Sequence, residues 1–397
     1  MTRTQIAWGQ VSAIGLGMGA ISLAAGVYNA YVPLLLRRDL QSAFIVASLV
    51  AVRTVMGLVL NVVVATRSDQ AHRKRGRRLV WVVTWMPVAG VLFALFPWPL
   101  GAAYLVTVDL VYALASSLFY APVVALLPDV VPDEGRSRAN GLISAMAGFA
   151  ALAAFFLGPA ASAVWRPLPF LLVGASLVAV SLVMGRAIHE PIVAAPQSST
   201  LARLLRAIRA LPTHPSRWLL AGGLLWTGAE TSVESLFVTY AVYQRHLSSG
   251  AAIISIGIFA LAYLVGAVPA GIAGQRLGRL PAVVTGLVIV GAAFAAIAFA
   301  PSLTELRLLA AMGGLGWALV NVNAYPWLVG LWPERDAGVA TGLWLLATGV
   351  GGVAIEPAIG IAMDQLGYGA LLVAAGALCA LAGLVVLAVP RHVQVAE

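Results

Sequence analysis

Twelve stretches of predominantly apolar residues recur along this 397-residue chain, with polar residues crowded into the gaps between them. Each is about 20 residues or longer, the length a helix needs to cross a hydrocarbon core roughly 30 Å thick. The runs cover residues 10–36, 44–66, 79–98, 101–128, 139–164, 168–188, 217–244, 251–274, 280–301, 306–332, 337–363 and 369–390. Hydrocarbon offers no hydrogen-bond partners, so a spanning segment must satisfy its own backbone, and apolar runs of this length do so as helices. The expected fold is therefore an all-α membrane protein of twelve transmembrane helices. Composition agrees: 61% of residues are hydrophobic and 10% charged, against about 25% charged in a soluble domain. A water-soluble protein could not cover its surface with so few charges.

A net charge of +9 raises the question of nucleic acid, and the positions of the charges exclude it. With both termini in the cytoplasm, 18 of the 24 Lys and Arg residues fall on the cytoplasmic side, five fall outside, and Arg53 alone lies within a span. That asymmetry is the positive-inside pattern of a multi-pass protein, and an inner (cell) membrane is the expected location. The N-terminal apolar run extends to Leu36, longer than a signal-peptide core of about 7–15 residues, and reads as the first span. Cys379 is the single cysteine, which rules out an intramolecular disulfide.

The longest polar segment, 189–216, separates the sixth and seventh runs. It opens with a Pro- and Ser-rich stretch and continues as LARLLRAIRAL, where Arg203, Arg206 and Arg209 recur at helical spacing among Leu and Ile. Such a segment is expected to lie on the membrane surface as an amphipathic helix. On either side the chain repeats itself. PDEGRSRANGL begins at Pro132 and PERDAGVATGL at Pro333, and Ala139/Ala340, Gly141/Gly342 and Leu142/Leu343 share the same offset of 201 residues. Gly76-Arg77 and Gly278-Arg279 match at an offset of 202. Two six-helix bundles, 1–188 and 217–397, joined by the 189–216 linker, are the expected organisation. Parallel repeats of this kind form a transport site at their interface.

The loop ATRSDQAHRKRGRRL resembles the basic signature loop of the major facilitator superfamily, in which an Asp precedes a Gly-Arg-Arg turn. The resemblance implies that Asp69 latches a neighbouring helix N-terminus near the cytoplasmic gate, with Arg77 and Arg78 neutralising the latch. The later copy, GIAGQRLGRL, has Gln275 in place of the Asp. APVVALLPDVVPDEGRSRANGLISAMAGF at 121–149, GAETSVESLFVTYAVY, and NVNAYPWLVGLWPERDAGVATGLW at 321–344 are similar to the bacterial glycoside–cation and sucrose-proton symporters of that superfamily. Asp129 and Arg136 of the first stretch are then expected at the gate. The chain departs from that branch at Val124, where a charged residue usually stands, and at Tyr120, where bacterial relatives commonly carry Arg.

Ionisable side chains inside spans cost several kcal/mol unless paired or hydrated, so they are functional candidates. Five stand out: Arg53, Asp109, Glu230, Glu234 and Glu356. Glu230 and Glu234 are one turn apart on one helix face, which disfavours double ionisation and suits a group that loads and releases a proton. Asp109, roughly 12 Å into the fourth span at 1.5 Å per residue, is a third proton-coupling candidate. Arg53 and Glu356 could pair to close the outer gate; Arg53 with Asp109 is an equally economical pairing.

Trp317, Asn321 and Tyr325 recur at spacing four in the tenth span. Such an aromatic–amide–aromatic stripe suits a polar, ring-bearing solute. Tyr28, Asn29, Tyr120 and Trp226 are further candidate contacts. No phosphate-binding loop, metal-ligand cluster or nucleophile elbow occurs in the sequence, so no enzyme activity, metal or cofactor is expected.

The expected activity is alternating-access transport of a small solute, a sugar or glycoside by the family resemblance. Protons (or Na⁺) would be the coupling ion and the monomer the working unit. Proton-coupled efflux of amphipathic compounds, and a non-transporting assembly or sensing protein, are the alternatives.

Overall fold

A computed structural model describes residues 7–75, 78–98, 100–131, 133–189, 207–209, 211, 213–333 and 336–390. Among them are twelve helices longer than 15 residues: α1 (Trp8–Leu40), α2 (Ala43–Arg75), α3 (Leu79–Leu95), α4 (Ala102–Val130), α5 (Asp133–Val164), α6 (Leu168–Ala187), α7 (Ser216–Tyr243), α8 (Ser249–Leu277), α9 (Arg279–Ile297), α10 (Leu303–Val329), α11 (Ala337–Leu366) and α12 (Ala370–Val386). Each coincides with one apolar run of the sequence. Nine of the described helices contain a stretch long and apolar enough to cross a membrane; α3 and α12 are shorter apolar helices of 17 residues each. The twelfth, α7, carries Glu230 and Glu234. Most of the 189–216 linker, including Arg203 and Arg206, lies outside the described residues; residues 207–209, with Arg209, are helical.

The chain forms two compact units, Met1–Gln41 with Arg53–Pro196, and Ser42–Val52 with Gln197–Glu397. In the first, α1 packs on α4, α5 and α6, and α3 packs on α4 and α6. In the second, α7 packs on α10, α11 and α12, and α9 packs on α10 and α12. These five pairings recur with each helix advanced by six, and the second unit adds a close packing of α8 on α10. The second unit also holds the start of α2. There the Asp364 carboxylate accepts from the Ser42 hydroxyl at 2.6 Å and from the Ala43 and Phe44 amides at 2.8 and 3.0 Å. These bonds satisfy amide donors that a helix start leaves without intrahelical partners.

Packing within each unit depends on glycine at the crossings. Lipid tails are as apolar as Leu, so helices in a bilayer associate by close van der Waals fit rather than by escape from water. Where α3 crosses α6, a Cβ on Gly90 would sit 2.6 Å from the Gly174 carbonyl oxygen, and one on Gly174 would sit 2.5 Å from that of Gly90. The α9–α12 crossing reproduces the arrangement with Gly291 and Gly376, where the corresponding approaches are 3.1 and 2.8 Å. Gly291 follows Gly90 by 201 residues, and Gly376 follows Gly174 by 202.

Backbone cannot yield there as a flexible side chain could. Gly174→Val is expected to destabilise the first unit by about 1–3 kcal/mol or more. Gly185→Val faces only the Val83 side chain and should cost less. Thermal unfolding of the two variants in detergent compares them.

Candidate functional site

In the first unit, three of the sequence-nominated residues come together. The Tyr28 hydroxyl, on α1, donates to Asp109 Oδ1, on α4, at 2.8 Å, and both side chains are fully buried. The Arg53 guanidinium, on α2, lies over the Tyr28 ring with its carbon 3.5 Å from the centroid, and 5.6 Å from that of Tyr112. Tyr28 and Tyr112 stack at 6.2 Å with an 18° interplanar angle, and Phe96 meets both rings edge-on. Tyr28 thus links the cation to the carboxylate, its face to one and its hydroxyl to the other. A guanidinium over an aromatic face gains up to about 2 kcal/mol when desolvated. One positive and one negative group in one bundle also keep the interior close to neutral, which is what a low-dielectric site requires. Asp109 Oδ2 is buried and has no hydrogen-bond partner among the described residues. The carboxylate therefore keeps one oxygen available for a proton or a solute hydroxyl.

The second unit holds a different constellation. Glu230 and Glu234 lie on α7, both partly exposed, and Tyr263 of α8 and Cys379 of α12 are within electrostatic reach of Glu230. Asn321 Nδ2 donates to the Tyr263 hydroxyl at 3.2 Å, so the amide stripe of α10 reaches the same neighbourhood. Trp344 of α11 stands between two of the nominated aromatics, 6.0 Å from Trp226 and 6.2 Å from Tyr325. The Tyr325 hydroxyl is 2.9 Å from Thr341 Oγ1. Trp317 and Trp226 are buried, whereas Asn321 and Tyr325 remain exposed. Glu356 is buried on α11 and accepts a hydrogen bond from the Ser235 hydroxyl of α7. Tyr120 is 41% exposed on α4, apart from the Tyr28 cluster, and Asn29 is half-buried beside it in sequence.

The nominated gate residues divide. The side chains of Asp69 and Arg77 lie outside the described residues. Arg78 is buried and ion-paired to Asp129 at 3.1 Å, while its Nη1 also donates to the Ala125 carbonyl at 3.2 Å. It ties the start of α3 to the last turns of α4, the end of the helix that favours a cation. Arg136 closes the same corner, donating to the Val131 and Pro128 carbonyls at 3.1 and 2.9 Å.

Tyr112, Tyr263, Trp344 and Ser235 were not nominated from the sequence. Tyr112 is three residues after Asp109, on one helical face, and could have been found that way. The other three come from α7, α8 and α11 and carry no local signal. Among the described residues, no three His, Cys, Asp or Glu side chains converge as metal ligands.

Residues 14–261 and 244–397 match the Major Facilitator Superfamily, and the chain belongs to that family. It is a multi-pass membrane protein. A 125-residue stretch is 34% identical to human monocarboxylate transporter 11, covering 31% of this chain; it spans about a quarter (26%) of that relative's length. Among solved structures, the nucleoside transporter NupG is similar with a TM-score of 0.80 at 13% identity, over 96% of this chain and 99% of the other. A bacterial homolog of the human lysosomal transporter Spinster gives 0.76 at 14% identity, over 95% of each chain. A POT family transporter crystallised with a conjugated peptide gives 0.75 at 12% identity, also over 95% of each. At these identities the solved structures share the fold. Neither they nor the short curated match carries the sucrose-proton branch suggested by the three sequence stretches.

Two outcomes test the local chemistry. Asp129→Asn leaves the Arg78 charge buried without its carboxylate and should destabilise by about 3 kcal/mol. The double change Arg78→Met, Asp129→Leu should recover most of that loss in thermal unfolding.

His214 precedes α7, stacks on Trp332 at 4.1 Å, and accepts the Ser216 amide N–H on Nδ1 at 3.2 Å. Burial lowers its pKa, so the folded state favours the neutral ring that can accept. The unfolded value is about 6.5. The contribution of this bond is therefore complete above that pH and is lost as pH falls below it toward the lowered folded value. His214→Asn keeps an acceptor without titrating. It should flatten the pH dependence of the thermal midpoint between about pH 7 and 5.

Proposed function

We propose that this transporter is a proton-coupled secondary carrier of a small polar solute, with Asp109 as the group that takes up and releases the proton. The observation that carries the reading is the Tyr28–Asp109 hydrogen bond beneath the Arg53 guanidinium. A carboxylate held in an apolar bundle by one phenol, with its other oxygen unpartnered among the described residues, has two accessible conditions. Ionised, it is balanced by Arg53; protonated, it is neutral and frees that cation. Exchange between the two as access alternates couples a proton gradient to movement of the solute. Glu230 and Glu234, on one face of α7, are a second station for the same proton.

A sugar or glycoside is the leading solute. Trp344, Tyr325, Asn321 and Tyr263 offer aromatic faces beside amide and hydroxyl groups, which suits a ring bearing hydroxyls. A monocarboxylate is the second reading. It is supported by Arg53, a guanidinium able to hold a carboxylate, and by the stretch similar to human monocarboxylate transporter 11.

Purified protein in liposomes enclosing a pH-sensitive dye separates these readings. One solute from a panel of sugars, glycosides and monocarboxylates should evoke proton movement. Asp109→Asn should abolish that movement while leaving solute exchange across equal concentrations intact. Arg53→Gln should weaken a carboxylate at least about tenfold, the worth of a charge-assisted pair, and a neutral sugar far less. Solute uptake driven by Na⁺ with no proton movement would replace the proton reading.

A further inference from the structure

The two units repeat one arginine contact and differ in how its charge is met. Arg78 begins the α3 region and Arg279 begins α9, 201 residues later; Ala125 and Pro326 are separated by the same 201. In both units the arginine Nη1 donates to that carbonyl, Arg78 to Ala125 and Arg279 to Pro326. In the first unit the guanidinium also meets Asp129 at 3.1 Å. The residue 201 positions after Asp129 is Gly330. A Cβ at Gly330 would lie 3.2 Å from Arg279 Nη1, so the guanidinium stands directly against the position that Asp129 holds in the first unit. The second unit has the arginine and the carbonyl without the acid. Among the described residues no carboxylate lies within ion-pair distance of Arg279.

A cavity of about 670 Å³ opens beside this cation. Arg279, Thr285 and Trp327 give it a polar and aromatic rim, and Leu280, Val284 and Leu387 give it aliphatic walls. It lies where α9 begins and α10 and α12 end, and the positive end of the α9 dipole adds to the arginine charge. A soluble anion would gain nothing from the aliphatic walls. A phospholipid uses all of the site, with its phosphate on the guanidinium and an acyl chain along Leu280, Val284 and Leu387. A headgroup with net negative charge is favoured over a zwitterionic one, which brings its own cation.

We propose that this groove binds an anionic phospholipid whose phosphate stands beside Arg279 as the Asp129 carboxylate stands beside Arg78. The lipid supplies from the bilayer the counter-charge that the first unit encodes in its own chain, and so ties α9 to α10.

The test is thermal unfolding of delipidated full-length protein titrated with phosphatidylglycerol, phosphatidylcholine or inorganic phosphate. For the unsubstituted chain, half-maximal stabilisation by phosphatidylglycerol is expected at a concentration about tenfold below that for phosphatidylcholine. Arg279→Gln should abolish the preference by removing the cation. Gly330→Asp, in the right-handed helical region at φ −68°, should abolish it by supplying the acid internally. Should Gly330→Asp fail to fold, Arg279→Gln alone decides. The proposal is overturned by equal response to the two lipids, by a preference that survives Arg279→Gln, or by stabilisation with inorganic phosphate equal to that with phosphatidylglycerol.

Discussion

The constraint on which everything else rests is that hydrocarbon supplies no hydrogen-bond partner and no counter-charge. Every polar group at membrane depth must be met by the chain, by the solute it carries, or by groups at the bilayer boundary. The backbone answers by forming helices, and the helices answer by packing closely enough that glycine is needed where α3 crosses α6 and α9 crosses α12. The ionisable side chains answer by local pairing. Tyr28 is satisfied by Asp109, Arg53 by the faces of Tyr28 and Tyr112, and Glu356 by Ser235.

Those pairings also separate structural charges from transport candidates. Arg78 and Asp129 form a clamp between α3 and α4, an ion pair in which Arg78 Nη1 also donates to the Ala125 carbonyl. The Arg53 cluster is arranged otherwise. Its cation is held by aromatic faces, and its acid retains an oxygen without a hydrogen-bond partner among the described residues. A clamp gains from being complete, whereas a group that must change its charge in each cycle needs partners that tolerate both conditions. Tyr28 does so, because a phenol donates to a carboxylate and can also accept from a carboxylic acid.

The two units share much of one packing plan and differ in its polar contacts. The pairings of α1 and α3 recur at α7 and α9, and so do the glycine crossings, where a Cβ would press on backbone in either unit. The contact at the start of α3 and α9 is kept in its arginine and carbonyl but not in its acid. The first unit carries its principal buried carboxylate on α4, while the second places carboxylates on α7 and α11. The units can therefore share a fold and divide the chemistry.

The twelve runs, the positive-inside asymmetry and the 201-residue repeat were all legible along the chain, because span length, loop charge and duplication are properties of local sequence. Asp109, Arg53 and Glu230 were legible as candidates for the same reason: a charge inside an apolar run marks itself. Their partners were not. The sequence left Arg53 open to Glu356 or Asp109, and the fold gave it Tyr28 and Tyr112, with Asp109 reached through a hydroxyl. Arg78 was assigned to a latch with Asp69 by resemblance, and it meets Asp129, 51 positions away along the chain. Trp344 and Tyr263 carry no periodic signal in their own helices. A pairing depends on how two helices rotate and cross, which is fixed by the close fit of many small residues at once. No single segment contains that information, and only the tertiary structure decided it.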